Sequence, residues 1–222
     1  MEEKSASTPK YTPNQELANS ISHAFGAFLA LLGFPFLIVK AAYTGDPWSV
    51  VACSLFFFGM MMTYVGSAIY HGLKPSKAKD VWRILDHCNI FLLIIGSYSP
   101  YCLVSLRETY PAWGWSIYGI VVGLGILGIV LNAVSLKKFK VFSMINYLLM
   151  GWIIIISFYP LTMAVGFYPG VFLLLMGGIA YTIGAVLYGL GGRKNQWFHF
   201  IFHIFCLIGT IFMFFSIYFF VI

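Results

Sequence analysis

Seven apolar stretches, at about residues 18–42, 47–71, 84–106, 112–136, 141–161, 168–190 and 196–222, take up nearly the whole chain. Each approaches or exceeds the roughly 20 residues that a helix needs to cross a bilayer. Each is continuously apolar rather than alternating, unlike the strands of a membrane barrel. In hydrocarbon every backbone N–H and C=O must pair within its own segment. The expected fold is therefore all-α: a polytopic membrane protein with seven transmembrane helices.

Composition closes off the soluble alternatives. Hydrophobic residues make up 60% of the chain and charged residues 9%, against roughly 45–50% and about 25% in an ordinary soluble domain. Seven crossings of a 222-residue chain leave only tails and short loops. Residues 1–17 read as a polar tail and 18–222 as a single transmembrane domain. No cleavable signal peptide is expected, because the tail has no apolar h-region. Any chemistry belongs to residues on the helices or at their ends.

Basic residues orient the chain. The tail holds Lys4 and Lys10, and the second loop Lys74, Lys77, Lys79 and Arg83. The fourth holds Lys137, Lys138 and Lys140, and the sixth Arg193 and Lys194. The opposite side offers Arg107 and Lys40 alone. This bias predicts a cytoplasmic N-terminus and, after seven crossings, a C-terminus outside a cell (inner) membrane. The net charge of +6 is accounted for by orientation, and no nucleic-acid partner is expected. Cys53, Cys88, Cys102 and Cys206 lie in apolar stretches without metal-type spacing and read as small packing residues. Gly123, Gly125 and Gly128 match a dinucleotide fingerprint but sit inside an apolar helix and follow no strand, so they read as a packing seam.

An ionisable residue at membrane depth is a functional hypothesis by default. All five histidines fall on the side assigned to the cytoplasm. His199 and His203 are spaced i, i+4 in an otherwise apolar run, so both rings share one face. Ser67 and His71 repeat that spacing on the second helix, and Asp86 opens the third at a similar depth. Three histidines with one position left to water suit a catalytic zinc, and a carboxylate can orient that water or take its proton. Bland readings fit the same spacing. The histidine pair suits an interhelical hydrogen bond, Asp86 an ion pair with Arg83 or Lys79, and Ser67 a bond within its own helix. Glu16, Asn19 and His23 form one helical stripe, read as interfacial, with a fourth metal contact or a substrate clamp as the alternatives. His87 follows Asp86 and points about 100° away from it, so it is not read as a ligand.

The order Ser67-xxx-His71, then Leu85-Asp86 leading to Gly96-Ser97-Tyr98-Ser99-Pro100, then His199-xxx-His203, resembles the haemolysin III family. That family belongs to the progestin and adipoQ receptor superfamily, which includes the adiponectin receptors. The opening from Glu16 through Asn19, Ser22 and His23 to Gly26 is similar to the bacterial branch. The resemblance implies a zinc ion held by His71, His199 and His203, with Asp86 contacting the zinc-bound water and Ser67 behind it. Through the alkaline ceramidases of the superfamily it implies an amide hydrolase acting on ceramide-type membrane lipid. Hormone recognition does not carry over, because the tail is short.

Three functions are thus set against one another. The leading one is a zinc-dependent hydrolase of lipid amide or ester bonds. The second is a membrane-damaging haemolysin or pore, although the helices carry no continuous polar stripe. The third is a receptor or sensor whose structural zinc has a fourth ligand such as His23.

Overall fold

A computed structural model describes residues 11–191 and 195–222. Lys4, Lys10, Arg193 and Lys194, and the first ten residues of the polar tail, lie outside the described residues. Every regular element among the described residues is helical. Helix α1 spans Pro13–Tyr43 and α2 Pro47–Gly72. Helix α3 spans Lys77–Pro100 and continues through a wider turn, Tyr101–Leu106. Then come α4, Pro111–Trp152, α5, Phe158–Val165, α6, Phe172–Gly191, and α7, Phe198–Ser216.

Local chemistry sets where these helices begin. Thr12 caps α1 in a reciprocal box with Gln15: the Gln15 amide N–H donates to the Thr12 hydroxyl, and Gln15 Oε1 accepts from the Thr12 N–H at 2.9 Å. Pro13 occupies a first-turn position that needs no amide hydrogen. The helix accordingly starts ahead of its apolar run, and the end of the polar tail is helical. Asp46 with Pro47 starts α2 in the same way, and the Ser76 side chain caps α3. Inside α3, Pro100 cannot donate to the Gly96 carbonyl. The Ser99 hydroxyl lies 2.5 Å from that oxygen and donates in its place.

Six helical stretches among the described residues are long and apolar enough to cross a bilayer, and the chain is a multi-pass membrane protein. One of them, Pro111–Val165, counts 55 residues. Run straight, it would measure about 80 Å, well over twice the hydrocarbon core. It does not run straight. Ser135 takes an extended conformation (φ −164°, ψ 95°) inside α4. Beyond it the chain folds back, so that Asn146 Nδ2 donates to the Leu124 carbonyl and the Ser143 hydroxyl to Asn132 Oδ1. A loop is expected at residues 137–140 from their charge. Those residues are instead helical: lysine is a good helix former, and one extended residue suffices for the reversal.

The outside of the bundle is apolar. Phe25, Phe28, Leu31, Leu32 and Phe36 on α1 are all more than half exposed, as a lipid-facing surface requires. Polar side chains turn inward. Helices α2 and α3 approach until Gly59 meets the backbone of Leu92 and Leu93 and Gly96 meets that of Leu55 and Phe56. Thr63 donates to the Asn89 carbonyl at 2.8 Å and Asn89 Nδ2 to that of Met62 at 2.6 Å, which locks the register. In the glycine seam of α4, Gly125 and Gly128 do pack, against Ile95 and Phe91, while Gly123 has open space beside it. The four cysteines are buried and free.

Candidate metal centre

Helices α1, α2 and α7 bring their polar residues to one end of the bundle. Gly26 lets α1 lie against Tyr64 of α2 and Leu207 of α7, where a side chain would collide. Ser20 of α1 donates to the Ala68 carbonyl of α2 at 2.8 Å. The i, i+4 spacing of His199 and His203 then turns both rings towards His71. All three histidines are buried, and one ligand nitrogen from each lies within 4.8 Å of the others. The Nε2 atoms of His71 and His199 are 3.0 Å apart.

Hydrogen bonds fix which nitrogen of two of these rings carries the proton. His71 Nδ1 lies 2.6 Å from Glu16 Oε2; a carboxylate only accepts, so Nδ1 donates and Nε2 keeps its lone pair. His203 Nδ1 faces the Asn19 carbonyl at 3.2 Å and the Ser22 hydroxyl at 3.0 Å. Ser22 itself donates to the Asn19 carbonyl. Nδ1 of His203 is therefore a donor too, and its Nε2 is free to coordinate.

This donor set fits a zinc ion. Tetrahedral zinc with Zn–N distances of about 2.0–2.1 Å puts ligand nitrogens about 3.3 Å apart, close to the His71–His199 separation. A carboxylate or carbonyl behind the ligating histidine is the usual outer shell of such sites. Glu16 supplies it for His71, and Asn19 and Ser22 supply it for His203.

A cavity of about 130 Å³ opens beside the histidines. Ser67, Asp86, His199 and His203 line one part of it, and Tyr98, Trp152, Gly178 and Met213 line others. His199 and Met213 are separated by about 21 Å along α7, so the cavity reaches deep into the bundle.

Asp86 is buried, and the cations that sequence offers it are engaged elsewhere. Lys79 pairs with Glu16 at 2.8 Å, and Arg83 approaches Asp80 at 3.7 Å. Asp86 itself lies 3.7 Å from His87 Nδ1. Its oxygens are not among the clustered ligand atoms, so it stands near the histidines rather than within their set. The Ser67 hydroxyl is buried and has no hydrogen-bond partner among the described residues.

The stripe of Glu16, Asn19 and His23 is turned towards the other helices; Asn19 and His23 are almost wholly buried. The His23 ring stacks on that of His203 at 3.5 Å between centroids and 6° between planes. Its nitrogens stand outside the ligand cluster. His87 bonds the Arg83 carbonyl at 2.9 Å and approaches the Tyr188 hydroxyl at 3.3 Å, yet it also lines the cavity.

Sequence reasoning missed Tyr11, Ser22 and the part played by Lys79. Tyr11 is buried with its ring stacked 5.0 Å from that of His199, closing that end of the site. Burial pushes its hydroxyl well above the usual tyrosine range, so it stays protonated. The one local signal for it was an aromatic residue directly before the helix cap. Ser22 stands in the opening motif, but its role was hidden because its partner lies 181 positions away.

Comparison with known proteins adds an independent line. The family described as "Haemolysin-III related" matches residues 11–214. "Hemolysin-3 homolog" of Bacillus subtilis (strain 168) is 36% identical over 207 residues, covering 93% of this chain and 94% of its own. "Hemolysin-3" of Bacillus cereus is 35% identical over 207 residues, with 93% and 92% covered. No solved structure matches the chain.

Proposed function

The chain belongs to the haemolysin III family, and from that membership we propose a zinc-dependent hydrolase of amide or ester bonds in membrane lipid. It crosses the bacterial inner membrane seven times, with its N-terminus in the cytoplasm. One observation carries the reading: three buried histidines converge beside a cavity that also takes Asp86 and Ser67 and continues between apolar helices.

His71, His199 and His203 hold the ion. When bound, it supplies Lewis acidity and lowers the pKa of neighbouring water towards 7. Asp86 takes the proton of the attacking water and passes it to the departing amine nitrogen or alkoxide oxygen. Ser67 donates its hydroxyl hydrogen to the carbonyl oxygen as that oxygen gains charge. The apolar length of the cavity receives the acyl chain. Glu16, Asn19 and Ser22 hold the ligand rings in the required tautomer.

Elemental analysis of detergent-purified protein tests this directly. About one zinc per chain is expected, lost in a His199→Ala/His203→Ala variant. Asp86→Ala should keep the zinc and lose turnover of N-acyl lipid; full turnover by that variant overturns the mechanism. The pore reading rests on the relatives' name, and the cavity lining, with Asp86 as its one carboxylate, offers ions no continuous polar path.

A further inference from the structure

We propose that Tyr11 is the movable cap through which the metal enters and leaves the histidine cluster; this rests on the zinc reading above and not on turnover. All three histidines are buried, so something must move before an ion can reach them. The inner route is closed to a divalent ion. Away from the histidines the cavity is lined by residues such as Leu93, Ile94, Leu148 and Met213, and its one carboxylate is Asp86. An ion passing that way would lose its hydration with no charge to replace it. Exchange therefore goes through the end of the bundle where the polar residues gather, and Tyr11 covers the site there.

Tyr11 is 5% exposed. Its ring lies 5.0 Å from that of His199 with 14° between planes, and 5.9 Å from that of His71 at 59°. It thus lies over two of the three ligand rings. Stacking uses the face of an imidazole, whereas coordination uses the lone pair in the ring plane. The two do not compete, so the same cap closes over the cluster whether it is filled or empty.

Attachment separates Tyr11 from the other rings around the cluster. Tyr70, Tyr188 and Phe202 also lie against ligand rings, but each is set inside a transmembrane helix, α2, α6 or α7. Tyr11 stands one residue ahead of the α1 cap, where Thr12 is extended (φ −68°, ψ 159°). Backbone rotation there swings the ring aside while α1 keeps its place. The reciprocal box of Thr12 and Gln15 holds the first turn behind it. Glu16 and its bond to His71 therefore stay undisturbed as the cap opens.

The test follows zinc on the full chain in nanodiscs: release into excess chelator, uptake of radioactive zinc by the stripped protein, and equilibrium affinity by chelator competition. Tyr11→Ala should release and take up zinc about tenfold faster than the parent, the scale of one lost ring stack, with affinity little changed. Tyr11→Ser should match it, and either variant suffices if the other fails to fold. Tyr11→Phe, which keeps the ring, should exchange at the parental rate. Parental rates in Ala or Ser overturn the cap and leave the zinc reading standing. Faster release with unchanged uptake, so that affinity falls, makes Tyr11 a prop for His199 and overturns it as well. Exchange as fast in Phe as in Ala assigns the effect to the hydroxyl and removes the stacked ring as its cause. A parent that binds no zinc removes the cap and the zinc reading together.

Discussion

Glu16 serves two partners at once, accepting from His71 Nδ1 at 2.6 Å and from Lys79 Nζ at 2.8 Å. The lysine balances the carboxylate's charge, and the carboxylate orients the imidazole. Glu16→Gln keeps the shape and removes the charge, so His71 Nδ1–H loses its charged acceptor. Zinc affinity should drop about tenfold to a hundredfold, read by competition with a chromophoric chelator. Unchanged affinity would reduce Glu16 to a partner for Lys79. At this scale, spacing made part of the site legible: two histidines at i, i+4 share a face wherever the helix packs. What faces them was not legible. The partners of His71 and His203 lie 55 and 181 positions away, and only packing selects them. Asp86 shows the same limit. Arg83 and Lys79 were its obvious partners in sequence, yet both are directed to other carboxylates.

Helix pairs carry that precision into the fold. Ser67 on α2 and Asp86 on α3 line one cavity, and Gly59 and Gly96 let the backbones of these two helices touch. A side chain at Gly96 would collide with the Leu55 carbonyl and Phe56, neither of which can swing away. Gly96→Val should therefore cost roughly 1–3 kcal/mol, read by denaturant unfolding in detergent. Gly119→Ala on α4, with nothing within 4 Å of the added carbon, is the control and should not destabilise. Equal stability of the two variants would show that the α2–α3 contact has room to spare. Helix type and the membrane-crossing character of the apolar stretches were readable because hydropathy alone sets them. The ends were less so: α1 starts at Pro13 through its cap, and α4 runs on past Ser135 through lysines that charge marks as loop and helix propensity does not. Small-residue spacing announced a seam on α4, but it could not say that Gly123 would miss it.

The whole molecule turns on how many times the chain crosses the membrane. Pro111–Val165 is too long to cross once and too apolar to lie outside, and the bonds from Asn146 to Leu124 and from Ser143 to Asn132 join its two arms side by side. The topology proposed above counts it as two crossings, which would make seven and put the chain ends on opposite faces. Lys137, Lys138 and Lys140 then share the cytoplasmic side with Lys74, Lys77 and Lys79, while Arg107, paired with Asp46, lies at the outer face. The histidine cluster opens towards the cytoplasm in that arrangement, and the cavity runs outward into the bilayer. Alkaline phosphatase, active only beyond the inner membrane, should be active when fused after Ile222 and inactive when fused after Lys138. Green fluorescent protein should give the reverse pattern. An inactive phosphatase at Ile222 would mean an even number of crossings, and an active one at Lys138 would mean that the hairpin points outward. Either result would move the histidines to the other face or break the match between charge and side. The expected pattern ties the metal centre to the cytoplasmic leaflet, from which an acyl chain would have to enter.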